Sequence, residues 1–181
     1  MSKMIIVIDG KIGSGKTTLS EKLANKYNYM HINCDQEIKK IYQEEDIINQ
    51  VLALLKINEI NFSEIGKIIF NNQEQKEKLE IILYKRLKEV IEDYKKKNEK
   101  IIIEGYNALK IFDYDLGIYL VCNYENRLLR VEKRDKRTIL EINQINNNQS
   151  DIIKLDKNIY FFDENNLDKI EKIMEQYDKD R

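Results

Sequence analysis

The sequence predicts an α/β fold in which a five-stranded parallel sheet carries helices on both faces. Apolar runs too short for helices recur along the chain, and they are continuous rather than alternating, as strands buried on both faces must be. Between them lie longer segments with apolar residues three and four apart. Strand alternating with helix in this way makes a parallel sheet covered on both sides.

The first strand is Met4-Ile5-Ile6-Val7-Ile8, closed by Asp9-Gly10. Leu19, Leu23 and Tyr27 then recur at helical spacing over 17–27. Met30 to Asn33 reads as a short second strand, and Asp35 opens a helix with Ile38, Ile41 and Tyr42 turned inward. Residues 46–96 read as mostly helical. The clearest piece is Gln73 to Lys96, where Leu79, Leu83, Leu87, Val90, Ile91 and Tyr94 form one apolar stripe. Lys95-Lys96-Lys97 complement the dipole at its end. Ile101-Ile102-Ile103, Ile118-Tyr119-Leu120-Val121 and Ile159-Tyr160-Phe161-Phe162 supply the remaining strands. Helices are expected near 124–134 and 138–147, with a closing helix from Leu167 to Tyr177. The chain shows no repeat, no Gly/Ser linker and no break in composition, so a single domain is expected.

The 181 residues suffice for one domain with a genuine core. Lys and Arg number 31 against 32 Asp and Glu, a formal net charge of −1 that gives no electrostatic reason to bind nucleic acid or a membrane surface. Cys34 and Cys122 lack metal-ligand spacing and sit beside or within apolar runs. They read as buried free thiols, which points to a reducing cytoplasm. The single His31 cannot build a histidine metal cluster and reads as structural at the start of its strand. Met1-Ser2-Lys3 leads straight into the first strand, so neither a signal peptide nor a membrane span is expected.

The most informative segment is Gly10-Lys11-Ile12-Gly13-Ser14-Gly15-Lys16-Thr17, which matches G-x-x-x-x-G-K-[ST] throughout and is followed by Thr18. Its glycines let backbone amides turn inward to cradle a β-phosphate. Lys16 brings a point charge to the β- and γ-phosphates, and the Thr17 hydroxyl is offered to Mg²⁺. A buried strand before it and an amphipathic helix after it supply the context the motif needs. A phosphate loop alone does not separate kinases from GTPases, ATPases or switches. The absence of an N-K-x-D segment argues against Ras-type GTPases, and the short chain with its long helical stretch favours a nucleotide- or metabolite-kinase plan binding ATP and Mg²⁺.

Phosphoryl transfer to a hydroxyl needs a carboxylate to orient the acceptor and take its proton. Asp35, just after the second strand, is at the rim where parallel-sheet proteins place ligands; the same position equally suits a helix cap. Glu104 ends the third strand before Gly105 and is a candidate to hold Mg²⁺ through water or to touch the acceptor, a role for which Asp9 competes. Arg127, Arg130, Arg134 and Arg137 recur at three- and four-residue steps, so one helical face can present several guanidiniums to equatorial phosphate oxygens. Arg130 and Arg134 are taken as functional. The interleaved Glu132, Lys133, Asp135 and Lys136 describe an ordinary solvated helix equally well.

With these residues in place the sequence resembles the dephospho-coenzyme A kinase family, over roughly residues 4 to 165. Beyond the Gly-Ser-Gly-Lys-Thr loop, Asn33-Cys34-Asp35 is similar to the family's D-A-D segment with its last carboxylate kept. Ile60-Asn61-Phe62-Ser63-Glu64-Ile65-Gly66, then Ile69-Phe70-Asn71-Asn72 and Lys78-Leu79-Glu80-Ile81-Ile82, follow the order I-D-R-x-x-L-G, V-F and L-E-x-I. Arg130 and Arg134-Asp135 match R-x-x-x-R-D, and Gln149 and Lys154 match the later lid residues. The resemblance implies that Asp35 activates the ribose 3′-hydroxyl of dephospho-CoA. It also implies a P-loop, nucleoside-kinase-like three-layer sandwich with a core of 1–34, 98–137 and 156–181, an acceptor-binding helical insertion over about 35–97 and an arginine-bearing lid over about 134–155. The sequence departs from the family at Asn61-Phe62 in place of D-R, at Tyr84-Lys85 where His-Pro is expected, at Glu104-Gly105-Tyr106-Asn107-Ala108-Leu109-Lys110 in place of D-x-P-L-L-x-E, and at Asn158-Ile159 in place of A-D.

The expected activity is ATP-dependent transfer to dephospho-CoA, with Lys85 or Arg86 available to the acceptor's pyrophosphate. A nucleoside or nucleotide kinase is the alternative, and a non-catalytic nucleotide-binding protein the third reading. The partner is a small-molecule acceptor rather than nucleic acid or membrane. A soluble cytoplasmic monomer is expected, with a weak homo-oligomer as the other state open to it.

Overall fold

The computed structural model describes residues 3–135, 142, 158–163 and 166–179. In chain order the elements are β1 (Met4–Gly10), α1 (Lys16–Tyr27), β2 (Met30–Asn33), α2 (Cys34–Ile41), α3 (Glu45–Leu55), α4 (Phe62–Asn71), α5 (Gln73–Lys97), β3 (Lys100–Glu104), α6 (Ala108–Ile111), β4 (Leu116–Leu120), α7 (Tyr124–Asp135), β5 (Ile159–Phe162) and α8 (Leu167–Lys179). They form two compact units, Met1–Asn33 with Asn98–Arg181 and Cys34–Lys97.

The first unit is built on one sheet of five strands, ordered β2-β3-β1-β4-β5, every pair parallel. The continuous apolar runs explain its centre. Ile6, Val7 and Ile8 of β1, Ile101, Ile102 and Ile103 of β3, and Leu116 and Ile118 of β4 are essentially buried. Side chains that point to opposite faces of a strand all meet protein here, so an unbroken Ile/Val run is stable where an alternating one is not needed. Leu23 and Ala24 of α1 and Ile170 and Met174 of α8 close one side of this core. The ends of the two helices are further tied by Lys26 to Glu171 at 2.7 Å and by the Tyr27 hydroxyl donating to Glu175 at 3.2 Å.

The second unit is helical. Leu79, Leu83, Leu87 and Ile91 of α5, four residues apart, face Ile41, Ile47, Val51, Leu55 and Ile65 of the other helices, and α2, α3 and α4 each pack on α5. Val90 and Tyr94, expected within the same stripe, are half-buried at its margin. Asn61 starts α4, its side-chain oxygen accepting from the backbone N–H groups of Ser63 and Glu64. Arg86 joins Glu44 at 2.6 Å and Glu89 at 3.1 Å, and Tyr42 meets Phe62 edge-on with ring centres 5.1 Å apart.

Two expectations shift. The fourth strand starts at Leu116 and ends at Leu120, so Val121 lies beyond it and is 48% exposed. Cys34 is buried, whereas Cys122, placed past that strand end, is only half-buried. Of the helix expected over 138–147, Ile142 alone falls within the described residues, helical and buried.

Candidate active site

The loop between β1 and α1 runs through backbone conformations that only glycine adopts without strain. Gly10 has φ +149° and Gly13 φ +79°. A Cβ at Gly13 would also lie 2.7 Å from the Arg127 carbonyl oxygen, so helix α7 presses directly on the loop. Ser14 N–H donates to the Lys11 carbonyl at 3.1 Å and closes the turn, leaving the Ser14 hydroxyl oxygen buried without a hydrogen-bond partner. No side chain caps α1, whose N-cap is Gly15. An uncapped helix start, with its N–H groups and the positive end of the dipole, favours a phosphate there. The Lys16 ammonium donates to the carbonyls of Gly10 at 2.8 Å and Lys11 at 3.3 Å, folded back over the loop it serves. Thr17 follows in the first turn, half-buried, and Thr18 is exposed.

Two buried carboxylates end the neighbouring strands. Asp9 Oδ1 accepts from Gly10 N–H at 2.6 Å and its Oδ2 from Leu109 N–H at 3.1 Å, tying the loop's first residue to the start of α6. Burial pushes the Asp9 carboxyl up from its ordinary value; those backbone N–H groups and the Lys16 charge pull the other way without winning. Glu104, 2% exposed, receives the Asn33 side-chain amide on Oε1. Its Oε2 has no hydrogen-bond partner.

The arginines of α7 divide in role. Arg127, only 7% exposed, donates to the carbonyls of Cys122 at 3.2 Å and Ile12 at 3.3 Å, which makes it a brace for the phosphate loop. Arg130 reaches Gly13 O at 3.4 Å and lies 3.6 Å from the Cys122 sulfur. It borders a cavity of about 440 Å³ whose wall includes Ser14, Gly15, Thr18, Lys22 and Asp163. Arg134 is exposed one turn further along. Arg137, Gln149 and Lys154 lie outside the described residues, as does most of the expected lid.

The structure therefore brings Gly10, Lys11, Ile12, Gly13, Ser14, Gly15, Lys16, Thr17 and Arg130 into one neighbourhood, with Glu104 on the strand beside β1. Asp35 is exposed in the first turn of α2 and belongs to the helical unit. Sequence reasoning missed the brace made by Arg127 and the wall residues Lys22 and Asp163. Lys22 was discoverable, four residues after Thr18 and hence on the same face of α1. Asp163 directly follows β5, a position no motif marks.

For Mg²⁺, no group of three or more His, Cys, Asp or Glu that could hold a metal occurs among the described residues. The donor set nonetheless fits an ion that takes one or two protein oxygens and completes its octahedron from water and phosphates. The Thr17 hydroxyl and the orphaned Glu104 Oε2 are such oxygens.

A complete phosphate loop at the carboxyl edge of a parallel sheet, with the arginines of α7 laid against it, defines the P-loop kinase class. Residues 6–154 match the family model described as AAA domain. The dephospho-CoA kinase of Rickettsia felis is 31% identical over 151 residues, 78% of each chain. That of Fusobacterium nucleatum is 33% identical over 150 residues, 75% of this chain and 76% of its own. The cytidylate kinase of Mesomycoplasma hyopneumoniae is 29% identical over 164 residues, 77% of this chain and 71% of its own. The crystal structure of TT1252 from Thermus thermophilus shares the fold at TM-score 0.78 over 98% of both chains, with 16% identity. This chain belongs to the dephospho-CoA kinase family.

Proposed function

We propose that the chain transfers the γ-phosphoryl group of ATP to the ribose 3′-hydroxyl of dephospho-CoA, an alcohol acceptor. The carrying observation is the complete phosphate loop, with Lys16 over its carbonyls and Gly10 and Gly13 at positive φ, in a chain whose relatives include dephospho-CoA kinases. In this reading the backbone of residues 10–15 and Thr18 hold the nucleotide's phosphates, and Lys16 stays with the transferring group. Asp35 orients the hydroxyl and accepts its proton, and Arg130 and Arg134 stabilise charge on the equatorial oxygens. Mg²⁺, held by Thr17 and through water by Glu104, would neutralise the phosphate oxygens as charge develops. The proposal places the protein in the cytoplasm, working as a monomer on a small molecule.

A second reading, a nucleotide kinase, is favoured by the similarity to cytidylate kinase and by the altered residues at Asn61-Phe62 and after Glu104. ADP release, measured with dephospho-CoA beside a panel of nucleosides and nucleoside monophosphates, decides between them. Turnover confined to dephospho-CoA is the expected result. Turnover confined to a nucleoside or nucleotide replaces the first reading with the second. Mg·ATP binding without turnover on any acceptor removes both.

A further inference from the structure

We propose that His31 and Asn33 are positioning residues for Glu104. They fix one oxygen of its carboxylate and leave the other as the acceptor for a metal-bound water. The inference rests on the reading that the loop binds a metal–nucleotide complex. Asn33 is the register partner of Glu104 across β2 and β3, and His31 lies two residues earlier on the same face of β2. The Asn33 amide donates to Glu104 Oε1, and His31 Nε2 stands 3.6 Å from that same oxygen. Glu104 is 2% exposed.

Two atoms in this cluster are buried without a hydrogen-bond partner, His31 Nε2 and Glu104 Oε2. A buried polar atom left in that state costs on the order of 1–3 kcal/mol, more where a charge is involved. The first gap has a partner within the cluster: a turn of the imidazole about its soft outer torsion would carry a protonated Nε2 from 3.6 Å to hydrogen-bond distance of Oε1. Oε2 has no such recourse among the described residues, and a donor from outside must serve it. Its position says which kind. Glu104 pairs with Ile8, one residue before Asp9 and two before the phosphate loop begins.

The chemistry of the two holders also matters. A lysine or arginine would orient the carboxylate equally well but would cancel its charge. The Asn33 amide orients Oε1 without bringing a charge of its own. Outer partners of this kind typically change metal affinity by about 10–100-fold when removed.

His31 is the chain's single histidine, so its ring nitrogens give one unambiguous pair of NMR signals. At alkaline pH, with the ring neutral, the nucleotide-free protein is expected to carry the proton on Nε2. Glu104→Ala should then move those signals toward the tautomer mixture of a solvated imidazole. A proton fixed on Nδ1, or signals indifferent to Glu104→Ala, overturns the proposal without reference to activity. In a second measurement Mn²⁺ binding to the ADP complex is followed by electron paramagnetic resonance. His31→Leu should weaken it about tenfold, and His31→Gln, which keeps a donor, should recover it to within about threefold. ADP affinity without metal should be unchanged. Equal losses in both variants, or none, sink the positioning role. Failure of the unaltered protein to bind Mn·ADP at all would instead sink the kinase reading. Should His31→Leu not fold, the tautomer measurement and His31→Gln still decide.

Discussion

Among the described residues, five buried polar or charged side chains, Asp9, Ser14, Ser20, Glu104 and Arg127, belong to the sheet unit, whereas the helical unit has only Glu37, which is paired with Lys40 at 2.7 Å. The ion pairs of the helical unit, such as Lys78–Glu74 and Lys96–Asp93, lie toward solvent. Buried polar groups are expensive unless partnered, and each one in the sheet unit constrains its neighbours. Surface pairs constrain little. Departures from the family pattern fall in both units, at Asn61-Phe62 and Tyr84-Lys85 in the helical one and after Glu104 and at Asn158-Ile159 in the sheet one, while the phosphate loop keeps the pattern throughout. A side chain that braces a loop through two carbonyls, as Arg127 does, is costly to replace; one on the solvent face of α5 is not.

The contrast breaks if chemistry proves insensitive to the sheet unit. Lys16→Ala should show the largest effect. It removes the charge at the transferring phosphate together with the two carbonyl contacts, and ADP release should fall by at least about 10²–10³-fold. Rates near those of the unaltered protein would end its assignment. Asp35→Asn tests the opposite side, because Asp35 lies in the helical unit. If it is the base, kcat should drop by roughly 10²–10⁴-fold while stability falls by no more than about 0.3–1 kcal/mol, the worth of an exposed first-turn charge to the helix dipole. A drop of less than about tenfold would leave Asp35 as a first-turn charge serving the helix dipole and confine the chemistry to the sheet unit.

Asp9 sharpens the comparison through pH. Its carboxyl is raised above the ordinary value of 3.8, chiefly by burial. The folded state then binds more protons than the unfolded one as pH climbs through the interval just above 3.8, and stability contributed by this group falls over that interval. Against an Asp9→Asn reference, the advantage of the unaltered protein should therefore shrink with rising pH there and level off above it. A difference that grows with pH would show the Gly10 and Leu109 N–H groups outweighing desolvation. Asn at this place also turns an amide donor toward one of those N–H groups, at about 1–3 kcal/mol.

How far the sequence could be read follows the same division. The strands were legible because their burial on both faces leaves an unbroken apolar run, and the phosphate loop because glycine is demanded at fixed spacing by φ and by the closeness of α7. What stayed hidden has no local signature. Arg127 looks like any helical arginine until its carbonyl partners from residues 12 and 122 are seen. The 3.6 Å approach of His31 to Glu104 joins strands separated by the whole helical unit. Val121 reads as strand by composition, but the ladder with β5 stops at Leu120 and Phe162.

The smallest effect is expected at Asn61, and it separates two meanings of one departure. In the family pattern this position carries an acid followed by arginine, so Asn61-Phe62 can be read as a lost acceptor contact. In the structure Asn61 already has work: its oxygen accepts from Ser63 N–H at 3.0 Å and Glu64 N–H at 3.2 Å at the start of α4. Asn61→Ala leaves both donors without that partner and should cost about 1 kcal/mol in denaturant unfolding. Asn61→Asp keeps the acceptor oxygen and adds a charge favourable to the helix dipole, so stability should hold or rise by a few tenths of a kcal/mol. If the residue only caps, KM for dephospho-CoA should be the same in all three proteins. A lower KM in Asn61→Asp alone would mean that the acid restores a contact with the acceptor, and that the helical unit retains a binding surface its present sequence uses only in part.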